Sequence, residues 1–288
     1  MEYLRGSDVS PREAMTVNDV KQEQRRRDSE RKRIQSNLQN VHRISVPAST
    51  APLVGMYLFR RGISIPPEQL SPDVRFVQQL EYRHTADPKV VGDKDIFKMT
   101  PAMICVVRNL EGKALSIHRT YLELSGSKAN VPDPKKLMES NDSISGGAVH
   151  LQKPQGCILG LAEGIETAYA VNVATGLPMW ATISANGLEK VQIPEHVTHV
   201  VIFADKDRSG TGQTSAIVLQ ERLIAEGIKV IIRLPKRALR DGEKGVDWLD
   251  VLNEDGADNF PYSRLKLRLV ANPQVTAVNA DFIFREAA

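Results

Sequence analysis

Five acidic side chains stand where apolar runs stop: Glu163 in LAEGIETA, Asp205 and Asp207 in VVIFADKDRSG, and Asp247 and Asp250 in KGVDWLDVL. Carboxylates gathered without cations repel one another, and a hard divalent cation resolves the conflict. Mg²⁺, or Mn²⁺ in its place, takes a few carboxylates and keeps waters that a phosphate can displace. Asp205 and Asp207 are two residues apart, so in an extended segment both point to one side and make a metal clamp. Lys206 and Arg208 flank that pair with charge that would attract a triphosphate or a nucleic-acid backbone.

The elements that would position these acids are legible around them. Cys157–Ala162 and Val200–Ala204 read as buried parallel strands that surface at their carboxyl ends. Helix-forming composition follows each, at Thr167–Ala174 and Gln213–Glu226, and Gly227 precedes another strand at Ile228–Leu234. This β-α-β order predicts an α/β fold with a parallel sheet flanked by helices. In such a sheet, ligands bind outside the carboxyl ends of the strands, where acids distant in sequence converge. Gly164, Gly210 and Gly212 stand where the chain must leave a strand or turn into a helix. Loops of this kind also present N–H groups to phosphate.

Composition sets the bounds. With 288 residues, 41% hydrophobic content and a net charge of +3, the chain can bury at least one full core, and its mild basicity permits nucleic-acid contact without requiring it. The absence of an apolar run of about 18 residues argues against a membrane span, and MEYLRGSDVSPRE lacks the apolar core of a secretory signal. A cytoplasmic location is therefore expected. Cys105 and Cys157 each fall in an apolar run and read as buried, reduced thiols; two thiols cannot build a zinc ribbon. KQEQRRRDSERKRIQSNLQNV, residues 21 to 41, predicts a solvated charged helix. Leu53–Arg61 predicts a second helix, and Ala102–Val107 and Ala114–Leu122 a hairpin about Glu111-Gly112 in a strand-rich region. Within that region His118, Arg119 and Lys128 surround one strand and its loop, where cations could meet phosphate oxygens.

The succession LAEGIETA, SANGL, VIFADKDRSGTGQ and KGVDWLDVL resembles the Toprim domain of topoisomerases, bacterial-type primases and several nucleases. MYLFRRGI, the HRTYL stretch with Lys128-Ala129, and GGAVHL resemble the region preceding Toprim in phage and plasmid primases. The resemblance implies a charged helical segment (1–45), a smaller strand-rich α+β subdomain (46–152), a Toprim domain (153–257) and a C-terminal extension (258–288). It implies Glu163 in proton transfer or metal binding, Asp205 and Asp207 as the metal-binding pair, and further metal contacts from Asp247 or Asp250. Asn186 and Gly187 match the family's small turn between strand and helix. The implied activity is metal-dependent nucleotidyl transfer making short primers from nucleoside triphosphates on single-stranded DNA. A metal-dependent nuclease and a non-catalytic DNA- or partner-binding module stay open as alternatives. Primases of this type usually begin with a zinc-binding unit that this chain lacks the cysteines to build. With no GxxxxGK[ST] loop here, a replicative helicase would be another chain or a portion of the protein outside this sequence. Apolar residues from Phe260 through Leu265, Leu267, Leu269 and Val270 could pack back on the domain or dock a partner.

Overall fold

The computed structural model describes residues 17–154 and 156–261. The charged segment forms one long helix, α1 (Val17–Ile44), and a two-residue strand, β1 (Val46–Pro47), leads into α2 (Pro52–Arg60). Pro52 opens α2 at a position where its missing N–H costs nothing. An antiparallel sheet follows in chain order: β1, β2 (Val74–His84), β3 (Ile96–Arg108), β4 (Ala114–Tyr121) and β5 (Lys135–Leu137). Residues Ala102–Val107 of β3 are all buried because both faces of the strand are covered. Ala102 and Ile104 face a cluster with Val77, Tyr82 and Tyr121, against which Leu38 and Val41 of α1 pack. The alternate residues Met103, Cys105 and Val107 face the opposite way, into the main core.

The chain then makes β6 (Val149–His150), β7 (Ile158–Ala162), α3 (Ile165–Thr175), β8 (Met179–Ala181), α4 (Ala185–Lys190) and β9 (His199–Phe203). After β10 (Lys206–Asp207) come α5 (Thr211–Ala225), β11 (Lys229–Arg233), β12 (Gly245–Val246) and α6 (Trp248–Glu254). The second sheet runs β11-β9-β7-β8-β6, parallel except for β6. Every residue of β7 and β9 is buried, as expected of central strands with helices on both faces. Residues of α3 and α6 share one apolar cluster with α2 and β3, while residues of α4 and α5 join the cluster on the other face. β10 and β12 form a separate antiparallel pair beside the carboxyl end of β9.

The α/β architecture is the expected one: a helix-flanked sheet with parallel strands, preceded by a strand-rich part and a charged helix. One apolar cluster crosses the junction expected at residues 152 and 153, joining Tyr57 and Met103 to Ala162, Tyr169 and Trp248. Cys157 departs from expectation. Only Cys105 is fully buried in a strand; Cys157 lies just before β7 and is half-buried. Phe260 packs against Trp248 with ring centroids 5.2 Å apart. Leu265, Leu267, Leu269 and Val270 lie outside the described residues. No described helix is long and apolar enough to cross a membrane.

Candidate active site

The carboxyl ends of the parallel strands open on a cavity of about 400 Å³, whose walls include Glu163, Asp205, Asp207, Asp247 and Asp250. Glu163 immediately follows β7, Asp205 lies two residues beyond β9, Asp207 ends β10, and Asp247 links β12 to α6. Three of the acids are held by backbone donors. Asp207 accepts from Gly212 N at 3.0 Å and Thr211 N at 3.3 Å, in the first turn of α5. The Ser209 hydroxyl, followed by these N–H groups, holds its pKa below the usual carboxylate range. Asp247 and Asp250 form a reciprocal capping box: Asp247 Oδ1 accepts from Asp250 N at 2.8 Å and Asp250 Oδ2 from Asp247 N at 3.0 Å.

Asp205 has no such support. Its Oδ1 is buried without a hydrogen-bond partner. Burial, then the charges of Asp247, Glu163, Asp207 and Asp250, push its pKa up to about 7. Glu163 is also raised, by burial and then by Asp207, and Asp247 by burial, which outweighs the opposing hydrogen bond from the Asp250 backbone N–H. Among the described residues no three potential ligands close on one point as a ready-made metal cluster. The donor set nevertheless fits a hard divalent cation. It is all oxygen, crowded with like charge, and contains a buried oxygen with an unused lone pair. Beside it, Ile183 adopts φ +72°, a left-handed conformation that a β-branched residue rarely takes, while its N–H donates to Glu163 O at 2.9 Å. That outlier fixes the loop against the carbonyl of Glu163.

The other expected residues divide into those the fold brings to the cavity and those it turns away. Lys206 points to the opposite side from its acidic neighbours, donating to Arg237 O at 2.9 Å and Pro235 O at 3.3 Å. Arg208 donates to Glu243 O at 2.7 Å and Arg240 O at 2.9 Å. Both hold the loop that carries Lys244, a cavity-lining cation that sequence reasoning missed. Gly164 caps α3 with φ −83°, so its use is steric: a Cβ there would lie 2.9 Å from Thr167 Oγ1. Gly212 is likewise not in the left-handed region; a Cβ would lie 2.9 Å from Asp205 O. Gly210, at φ +73°, is the one that needs glycine's freedom. Asn186 is exposed within the first turn of α4 rather than in the preceding turn, and Gly187 N donates to the N-cap hydroxyl of Ser184 at 3.0 Å.

A basic flank lies toward the strand-rich half. Lys128 is half-buried. Burial lowers its pKa, as does Lys135, and it also feels Glu166, Arg61 and Asp247, which ties this flank electrostatically to the acidic cavity. Lys135 Nζ donates to Glu166 at 2.8 Å, and the Tyr57 hydroxyl donates to the other oxygen of the same buried carboxylate. Arg61 Nε and His118 Nδ1 are buried without partners. Burial and then Lys135 push the His118 pKa down to about 4, so the ring is neutral near pH 7. Arg119 is next to His118 in β4 and so faces away, toward Ile34 and Asn37 of α1, with its Nη1 on the Tyr121 hydroxyl at 3.1 Å. Arg61, Lys135 and Glu166 carry no local sequence signal for this role; a pattern of residues on three separate elements is visible only once the chain is folded.

Residues 158–258 match the Toprim domain, and residues 32–151 match a domain of unknown function (DUF7146). No protein of curated function matches the sequence. The fold is similar to the DnaG primase catalytic domain bound to ssDNA, at 15% identity over 86% of this chain and 85% of that one, with a TM-score of 0.50. Weaker similarities are to the E. coli primase catalytic core, at 14% identity, 86% and 94% coverage and TM-score 0.45, and to the primase fragment of the bacteriophage T7 primase-helicase protein, at 13% identity, 69% and 70% coverage and TM-score 0.44. Residues 158–258, which carry Glu163, Asp205, Asp207, Asp247 and Asp250 at the carboxyl ends of the strands, match the Toprim domain, and the fold of the chain is similar to that of a DnaG primase catalytic domain.

Proposed function

We propose that the protein is a metal-dependent nucleotidyltransferase that makes short primers on single-stranded DNA from nucleoside triphosphates. The observation that carries the reading is the convergence of Glu163, Asp205, Asp207, Asp247 and Asp250 on one cavity, with a buried Asp205 oxygen left without a partner. Mg²⁺ or Mn²⁺ held by these residues would neutralise charge developing on the α-phosphate and on departing pyrophosphate. Asp207, Asp247 and Asp250 are prepositioned by backbone N–H groups, which leaves their remaining lone pairs for the cavity. Glu163, with its raised pKa, is the acid best suited to accept the proton of the attacking 3′-hydroxyl. Lys244 on the cavity wall, with Lys128 and Arg61 on the basic flank, supplies cations for the triphosphate and the template backbone.

A template assay tests this reading. Single-stranded DNA, ribonucleotides or deoxynucleotides and Mg²⁺ or Mn²⁺ should give short labelled oligomers, and Asp205→Ala should abolish them while the circular dichroism spectrum is kept. Labelled DNA without nucleotides serves as the control: shortening there that depends on Asp205 would replace the primase reading with a nuclease. DNA binding indifferent to all five acids, with no product on any template, would leave only a binding module.

A further inference from the structure

Helix α1 is the part of the molecule that the proposed chemistry does not use. Among its described residues only Glu23, Ile34, Leu38 and Val41 are half-covered; the rest are exposed. At about 100° per residue these four lie within one narrow sector, which is the side turned to the sheet. The opposite side of the helix carries Lys21, Arg25, Lys32 and Arg43, at spacings of four, seven and eleven residues, each close to a whole number of turns. They form a single file about 33 Å long at 1.5 Å per residue.

The acids of the helix lie off the basic file with one exception. Glu23 lies on the covered side, where it takes Arg27 as its partner at 3.0 Å, and Glu30 lies near that side with Arg33, which also reaches Glu139. Asp28 is the one acid beside the basic file, and Gln24 Nε2 donates to it at 3.0 Å. Lys21, Arg25, Lys32 and Arg43 make no ion pair among the described residues. A helix stabilised by ordinary surface pairing interleaves the two signs along each face; here Glu23 and Glu30 share the sheet-side half with Arg26, Arg27, Arg31 and Arg33, and the four cations of the opposite file are left facing water. The C-terminal half is anchored by Leu38 and Val41, and Asn141 Nδ2 donates to Arg31 O at 2.7 Å, so the helix is tied to the body from Arg31 onward and carries Lys21 and Arg25 beyond the last tie.

We infer that the solvent face of α1, through Lys21, Arg25, Lys32 and Arg43, is a docking surface for the phosphodiester backbone of a single-stranded nucleic acid. The argument is charge complementarity: unpaired cations in file on a rigid rod fit a flexible polyanion that can follow it. The choice of a nucleic acid over another polyanion rests on the proposed function. The surface is separate from the carboxylate cavity, which makes the two readings separable by experiment.

The test is fluorescence anisotropy of a labelled oligothymidylate with the full chain, in EDTA and without nucleotides, across a salt series. The triple variant Lys21→Gln, Arg25→Gln, Lys32→Gln should lose about 2 from the slope of log K against log salt, at about 0.7 per phosphate contact, and should bind about a hundredfold more weakly at 0.1 M salt. Circular dichroism checks that the helix is retained. The paired control Lys89→Gln, Lys94→Gln, on an exposed loop of the body, should leave slope and affinity unchanged. An unchanged slope in the triple variant, or an equal loss per charge in the control, overturns the inference. Tighter binding to duplex DNA, to phosphatidylserine vesicles or to polyglutamate, with the same three-residue dependence, also overturns it. Because nucleotides and divalent ions are absent, a failed primer assay with an intact slope effect removes the proposed activity alone, and the converse removes only the docking surface.

Discussion

Replacing Asp205 by asparagine should stabilise the metal-free protein, and by an amount that grows with pH. The carboxylate is pushed from an ordinary 3.8 to about 7 by burial and by four neighbouring acids. At about 1.4 kcal/mol per pH unit, that corresponds to about 4 kcal/mol of destabilisation once Asp205 is ionised in the folded state. Solvent relaxation around the opened cavity reduces this to about 2–4 kcal/mol. The folded pKa lies above the unfolded one, so the folded state binds the extra proton. Stability from this group is complete below pH 3.8, declines as pH rises, and is gone above about 7. Asparagine keeps the shape and removes the charge. Urea denaturation in EDTA should therefore show the two proteins nearly equal at pH 4 and Asp205→Asn more stable by about 2–4 kcal/mol at pH 8. Millimolar Mg²⁺ or Mn²⁺ should raise the wild type and leave the variant nearly unchanged. An advantage that is absent at pH 8, or that grows toward low pH, would refute the electrostatic account of the cavity.

Removing the cation from the buried pair at Lys135 and Glu166 works in the opposite direction. Burial alone would raise Glu166, but the Lys135 charge and the hydrogen bonds from Lys135 and Tyr57 outweigh it and hold the carboxyl down at about 2. Lys135→Met strands that carboxylate, 4% exposed, and should cost about 3 kcal/mol in urea melts, the lower end for a broken buried pair because the lysine is partly solvated. The pair's contribution is present above pH 4.5 and fades as pH falls toward 2, so thermal melts of the wild type should drop in that window and those of the variant should drop less. Two glycine substitutions probe packing near the site and away from it. A Cβ at Gly187 would lie 2.1 Å from Thr182 O, so Gly187→Ala should cost about 1–3 kcal/mol, whereas Gly55→Ala on α2, with nothing within 4 Å, should stabilise by about 0.5–1 kcal/mol; equal effects at the two positions would refute the steric reading.

The acids were legible because buried parallel strands write themselves as uninterrupted apolar runs, and a carboxylate at the end of such a run marks where the strand leaves the core. The same period-two rule that puts Asp205 and Asp207 on one side puts Lys206 on the other, and it turns Arg119 away from its neighbour His118; both follow from alternation, yet proximity in sequence suggested a shared site. Glu166 was not legible. It lies three residues after Glu163 in a helix whose neighbours are apolar, and its partners come from α2 and β5, which sequence spacing does not place beside it. Lys244 was missed for a different reason: its position depends on Arg208 and Lys206 holding the carbonyls of a loop, a long-range bond pattern with no local signature. Asp247 and Asp250 carry two signals at once. An aspartate with a second aspartate three residues on is a helix start, and here the reciprocal cap forms. The cap does not compete with a metal role, since it uses Asp247 Oδ1 and Asp250 Oδ2 and leaves the second oxygen of each carboxylate out of the reciprocal pair, on residues that line the cavity. Asp205 lacks any such cap, and that absence, rather than its place in an acidic motif, is what singles it out as the carboxylate with most to gain from a cation.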